Sequence, residues 1–237
     1  VGIMSMVAGF GVQAGIFIFG VYLSIRGQIT PGVVIAFVQM MNERAVQLGA
    51  KNTVYTNPTG IHDDNMKTTA RDVALISKHA LSLPLFAEAA GSKSYEMPAT
   101  NMSQERVLYS RNALVSKKYD PSYYLDKATG LNVGYTPQGG YCIAASAADG
   151  DLTYIAVVMN ASKTEEEEIM SYKNARELFT WAFKSYGYTE VLSQKSVMYE
   201  IPISLSSAAD HVIAQPAAEL SAYLPSDIDK NDIVYQK

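Results

Sequence analysis

A chain of 237 residues holds one domain of ordinary size with appendages. Its formal charge of -4 offers no basic field for nucleic acid, and its single cysteine, Cys142, excludes an internal disulfide. The 48% hydrophobic content is ordinary on average but concentrated at the N-terminus, which points to a membrane segment joined to a remainder of soluble character.

No charged side chain occurs between Val1 and Ile25. As a helix such a run spans about 37 Å against a hydrocarbon core of roughly 30 Å, so it is expected to cross a membrane. Gly2, Gly9, Gly11, Gly15 and Gly20 suit close approach of membrane helices. A cleaved signal peptide fits less well, because the run is long, has no basic start and lacks a small-residue cleavage site. Arg26 is the only charge near it, too little to set topology. Thr30 then reads as the cap, and Pro31 as a first-turn residue, of a second apolar helix running to Met40. With the helix before it, this stretch resembles the last two transmembrane helices of an ABC-type exporter. That resemblance implies a transporter-like segment at residues 1–41, joined to different material at about Met40 to Asn42 by a natural fusion, a rearranged gene or an assembly error. The chain begins with Val, which reads as a processed, trimmed or incomplete start.

Further along, Thr69 can cap a helix with Asp72 in the box position, and Val73, Ile76 and Ala80 share one face until Leu83-Pro84 stops it. This predicts a buried core helix. Residues 131–136, 141–147 and 152–159 alternate as three strands, separated by Gly139-Gly140 and by the hairpin dipeptide Asp149-Gly150, which predicts an antiparallel meander. The run Lys163-Thr164-Glu165-Glu166-Glu167-Glu168 is expected to be solvated at the start of a helix, where acidic groups favour the positive end of the dipole. A helix over 171–186 then covers the sheet with Leu178, Phe179, Ala182 and Phe183. From Glu190 onward the pattern shortens to segments such as Ser196 to Ile203, broken by polar and Pro-containing turns, which reads as β-rich.

The segment richest in functional information is Gly130-Leu131-Asn132-Val133-Gly134-Tyr135-Thr136, followed by Gly139-Gly140-Tyr141-Cys142. It resembles the third active-site motif of the serine-type D-alanyl-D-alanine carboxypeptidases (penicillin-binding, peptidase S11 type), where Gly-x-Lys-Thr-Gly-Tyr-Thr precedes an Ala-Gly-Tyr-Cys strand. Met41 to Ala45, Leu48 to Thr53, Asn57 to Asp63, Thr69 to Ile76 and Ala175 to Phe183 resemble further segments of that family, in its order. The resemblance implies an α+β fold, the C-terminal half of a β-lactamase/transpeptidase-like architecture. An antiparallel sheet with covering helices would follow the transmembrane helices and precede a β-rich domain that is itself truncated. The implied division is 1–41 transmembrane, 42–188 partial peptidase domain and 189–237 the start of the β-rich domain.

The chain departs from the family pattern at Asn132, where the motif has Lys, and at Val133, where it has Thr. The charge that would meet a substrate carboxylate is therefore missing. No Ser-x-x-Lys occurs in the chain, and that pairing is needed because a serine hydroxyl is a poor nucleophile until a neighbouring base takes its proton. Ser110-Arg111-Asn112 has the spelling of the second motif, Ser-x-Asn, but its position matches an ordinary Asn-x-x-Leu segment of the family, so it reads as a decoy. His62 reads as a turn residue, His79 as a helix-end residue and His211 as isolated; no spacing among them supports zinc. Cys142 sits in an apolar strand and reads as packing.

No catalytic residue, metal or cofactor is assigned. Asn132, Val133, Gly134, Tyr135 and Thr136 form a degenerate substrate-binding strand, which either still pairs with an extended peptide or is now only an edge strand. Three functions follow from the resemblance: an inactive relative of the carboxypeptidases that act on D-Ala-D-Ala in peptidoglycan stem peptides, a membrane-tethered module that binds such peptides without turnover, and a transporter membrane fragment carrying a passenger. The implied partners are the stem peptide and the membrane, through residues 1–41, with no nucleic acid. The implied location is the cytoplasmic membrane, with residues 42–237 on the extracytoplasmic side.

Overall fold

The computed structural model describes residues 31–204, 209–229 and 233. In chain order the elements are helices α1 (Pro31–Gln47), α2 (Ala70–Leu81) and α3 (Pro84–Gly91), strands β1 (Ser94–Met97) and β2 (Arg106–Tyr109), strands β3 (Ala128–Thr136), β4 (Gly140–Asp149) and β5 (Leu152–Ala161), helix α4 (Met170–Ser185), and strands β6 (Tyr186–Leu192), β7 (Tyr199–Pro202), β8 (His211–Ala214) and β9 (Leu220–Pro225). Helices and antiparallel strands are both present, giving the expected α+β class. The long uncharged run at Val1 to Ile25 lies outside the described residues. Among the described residues no single helix is long and apolar enough to cross a membrane.

The central sheet has the order β3-β4-β5, the antiparallel meander that the alternation predicts. Pairing of Ile143 with Val158, Ala145 with Ala156 and Ala147 with Tyr154 sets one face of that sheet against α4. There Phe179, 1% exposed, meets Ile143, Ala145 and Ala156, and burying such a side chain contributes about 1.5–3 kcal/mol. The small residues of β4 let a helix approach this closely. Helix α2 packs against β5.

Helix α4 starts without a side-chain cap, since its N-cap position is Ile169. Its first turn is held instead by Tyr123, whose hydroxyl accepts the Ile169 N–H at 2.7 Å and whose ring stacks on Tyr172 at 5.0 Å. The acidic run does not occupy that first turn. Residues 163–168 form a separate turn, with Thr164 and Glu168 joined through their backbones and Glu167 in the left-handed region at φ 69°. Fixing the chain in this turn before Met170 displaces the carboxylates from the helix end, so the expected dipole interaction is replaced by the pairs Lys163–Glu167 and Lys173–Glu168.

Thr69 caps α2 as expected, accepting the Asp72 N–H at 3.1 Å. Its apolar residues Val73, Ile76 and Ala80 are half-buried rather than fully enclosed, and the fully buried positions are Asp72 and Ser77. Pro84 ends the pattern but also opens α3, because a proline in the first turn loses no helical hydrogen bond. The β1–β2 hairpin, all but Met97 exposed, has no counterpart in the sequence reading. After α4 the chain is β-rich as expected: β9 pairs with β6, and β7 with β8 forms a separate hairpin.

Candidate functional site

Strand β3 is an edge strand whose start is bent. Gly130 has φ 137° and Leu131 φ 77°, and the register shifts between Ala128 and Gly130, which is a bulge of the kind that re-aims the side chains beyond it. The bend is fixed by close packing: a Cβ on Gly130 would lie 2.6 Å from the Ala90 carbonyl oxygen at the end of α3, so only glycine fits. From the other side the Asn112 amide donates to the Gly130 carbonyl at 3.2 Å.

Past the bulge, Asn132 pairs with Ala144, Val133 with Ile143, Gly134 with Cys142 and Tyr135 with Tyr141. Alternation turns Val133 to the core side, where it packs on the buried cluster, and leaves Asn132, Gly134 and Thr136 on the opposite face. Asn132, Gly134 and Tyr135 are exposed. The strand ends in a turn tied by the Gly139 N–H donating to Thr136 Oγ1 at 2.8 Å, and the rings of Tyr135 and Tyr141 lie 4.4 Å apart.

All five sequence-predicted residues, Asn132 to Thr136, line one cleft of about 700 Å³. Its remaining walls come from Thr59 and Gly60, from Arg111, from the Gly139 to Cys142 turn and from the start of α4 at Ile169, Ser171 and Tyr172. Cys142 is half-buried; its Sγ donates to the Gly139 carbonyl at 3.3 Å and accepts the Asn160 N–H at 3.4 Å, a packed position in keeping with its sequence reading.

Arg111 was missed in the sequence reading. It is exposed and supplies the charge among the residues that line the cleft. The available signal was its place beside Asn112, dismissed together with the Ser-x-Asn decoy. Asn112 itself is 2% exposed and bonds to Gly130 and to the Leu114 N–H, so it is structural, while its neighbour points at the site wall. Arg111 is positioned through its carbonyl, which accepts the Tyr172 hydroxyl at 3.0 Å. Burial pushes the Tyr172 hydroxyl above the usual tyrosine range against the opposing pull of a hydrogen bond from the Ala113 backbone and of the Arg111 charge, so it stays protonated and keeps donating.

The other singled-out residues fall outside this cleft. His62 pairs with Asp64 at 3.2 Å in an exposed turn, and His79 contacts Arg44 at 2.9 Å near the end of α2. Among the described residues no three His, Cys, Asp or Glu side chains converge as a metal site. The arrangement offers an extended strand edge, a neutral amide at Asn132 and one guanidinium, which is equipment for holding a peptide with an anionic end.

Comparison with known proteins agrees with this architecture. D-alanyl-D-alanine carboxypeptidase DacA of Haemophilus influenzae is 30% identical over 195 residues, covering 78% of this chain and 46% of that protein. DacF of Bacillus subtilis is 31% identical over 150 residues, covering 63% and 36% respectively. The crystal structure of penicillin binding protein 5 from Haemophilus influenzae superimposes with a TM-score of 0.53 at 25% identity, over 81% of this chain and 51% of that one. The chain spans less than half the length of these two sequence relatives. The profile of the D-alanyl-D-alanine carboxypeptidase family, peptidase S11, matches residues 26–163 and so takes in α1, which the sequence reading had given to an exporter-like segment ending at residue 41. With the bent edge strand and more than half of the residues inside that match, the chain belongs to the D-alanyl-D-alanine carboxypeptidase family.

Proposed function

We propose that these residues bind peptidoglycan stem peptides ending in D-Ala-D-Ala along the β3 edge, without themselves forming an acyl-enzyme. The observation that carries the reading is the cleft itself: the five residues of the third motif line it beside Arg111, while Asn132 stands where the family motif has its lysine. Relatives that match this chain carry the name D-alanyl-D-alanine carboxypeptidase, which supplies the substrate class. An extended peptide would add to the open edge through backbone hydrogen bonds, and its terminal carboxylate would meet a neutral amide and a guanidinium in place of an ammonium. The absence of Ser-x-x-Lys from the sequence leaves acyl transfer without a starting group in this chain. The chain is read as corresponding to the family's C-terminal half. Val1 to Ile25, which precede the family match, are proposed to anchor it in the cytoplasmic membrane with the cleft on the extracytoplasmic side.

The test is titration of the full chain in detergent with a pentapeptide ending in D-Ala-D-Ala, beside labelling with a fluorescent penicillin. Saturable binding and no covalent label are expected. Asn132→Lys should tighten binding by roughly tenfold, since a charge-assisted hydrogen bond exceeds a neutral one by about 1 kcal/mol or more. A stable penicillin adduct, or peptide affinity unmoved by Asn132→Lys and by Arg111→Ala, would overturn the reading.

A further inference from the structure

We propose that Tyr172 is the positioning residue for Arg111, its hydroxyl holding the turn that presents the guanidinium to an anionic ligand end. This role rests on the peptide-binding reading above and names the group that sets the preference of the cleft for a free carboxylate. Arg111 is exposed and lines the cleft, yet among the described residues its guanidinium makes no hydrogen bond and no ion pair. A long side chain with several rotatable bonds and no partner is placed by its main chain alone.

That main chain is gripped from two elements. Asn112, 2% exposed, donates to the Gly130 carbonyl at 3.2 Å and accepts the Leu114 N–H at 3.1 Å, which fixes the residue after Arg111 against the bulge of β3. Residue 111 itself has its carbonyl bonded by the Tyr172 hydroxyl at 3.0 Å, from 61 residues away in the chain. The same hydroxyl takes a hydrogen bond from the Ala113 backbone and feels the Arg111 charge, so one oxygen spans the turn that carries the guanidinium.

Tyr172 can act as a tether because its ring is fixed. It is 8% exposed, lies in the first turn of α4 and stacks on Tyr123 at 5.0 Å with 27° between the ring planes. Tyr123 is held in turn by accepting the Ile169 N–H at 2.7 Å. A phenylalanine at 172 would fill the same stack, so packing accounts for the ring but not for the hydroxyl, whose one donor goes to Arg111. Fixing the turn before a ligand arrives lowers the ordering cost of binding, and the gain falls to ligands that engage the guanidinium.

Titration of the full chain in detergent with a pentapeptide ending in D-Ala-D-Ala, and with the same peptide as its terminal carboxamide, tests this in wild type, Tyr172→Phe, Arg111→Ala and the double variant. Tyr172→Phe should weaken the acid peptide by roughly fivefold, the worth of one hydrogen bond, and leave carboxamide affinity unchanged. Its melting temperature should hold, because the ring keeps its stack and water can serve the carbonyl of an exposed residue. With Arg111→Ala already present, the same substitution should cost nothing further, since the tether acts through the guanidinium. No loss, equal losses on both peptides, or a loss that persists without Arg111 would overturn the proposal while leaving peptide binding intact. If the wild type binds neither peptide, the binding reading falls and the tether is decided by the NMR order parameter of the Arg111 amide. A lower value in Tyr172→Phe then upholds it, and an unchanged value overturns it.

Discussion

Helices α1 and α4 are both rich in apolar residues, yet they meet opposite fates. On α4, Ala175 and Phe179 are 0% and 1% exposed because the sheet supplies a matching face. On α1, Ile35 is 61% and Met40 64% exposed, and Val33 and Phe37 are open as well. Only the last turns of α1 are docked: Ala45 is buried, and Asn42 bonds both ways to the Tyr55 backbone, accepting its N–H at 2.7 Å and donating to its carbonyl at 2.9 Å. An apolar helix stabilises a fold only where another surface takes its side chains out of water. The contrast separates the parts of this chain that hold themselves together from the part that presents apolar surface outward.

The comparison breaks most sharply at its two extremes. Phe179→Ala should destabilise the chain by about 3–5 kcal/mol, through lost burial plus the cavity left under α4, whereas Met40→Ala should change stability by no more than about 0.5 kcal/mol. Chemical unfolding of both variants measures the difference, and equal costs would mean that α1 is covered in solution.

A smaller, pH-dependent effect should appear where α2 docks. Asp72, 1% exposed, accepts the Asn52 N–H at 2.7 Å and the Thr53 hydroxyl at 2.9 Å. Burial disfavours its charged form, but these bonds, together with the Thr69 side chain, outweigh that and hold the carboxyl below the usual range. A depressed pKa means stability that is present above the unfolded value of about 4 and lost as pH falls through the folded one. Asp72→Asn should therefore flatten the acid limb of the stability curve, read as melting temperature below pH 4.

The smallest effect belongs to the alkaline side. Tyr154 on β5 meets Tyr223 on β9, hydroxyl to hydroxyl at 2.9 Å, and burial followed by that hydrogen bond pushes its pKa up to about 12. A raised pKa contributes stability that is complete below the unfolded value near 10 and disappears as pH rises through about 12. Tyr154→Phe should remove that slope, and a melting curve between pH 10 and 12 that is identical in both proteins would show that the β4–β5 sheet and the β6–β9 pair are not coupled there.

How much of this was legible depended on the range over which each interaction acts. Period and turn residues are local, so the β3-β4-β5 meander, the Thr69 cap and the helix carrying Phe179 could all be read from adjacent positions. The acidic run was misplaced because a left-handed residue at Glu167 inserts a turn that no periodicity announces. Helix α3 was overlooked because Pro84 reads as a stop, although the same ring suits a helix start. Within the site, Asn132 to Thr136 were legible as one strand, whereas Arg111 was not, since it reaches the cleft only after Tyr172 and Gly130, distant in sequence, anchor the segment around it.

The sequence by itself determined the alternation that makes β3 a strand, the neutral residues at Asn132 and Val133, the missing Ser-x-x-Lys and the uncharged run before Arg26, because each depends on residue identity or local spacing alone. Only the tertiary structure decided which apolar faces are buried, that the bulge at Gly130 sits against α3, and that Arg111 lines the same cleft as Asn132. Those outcomes depend on contacts between segments far apart in the chain, whose pairing is set by shape and burial once the elements meet.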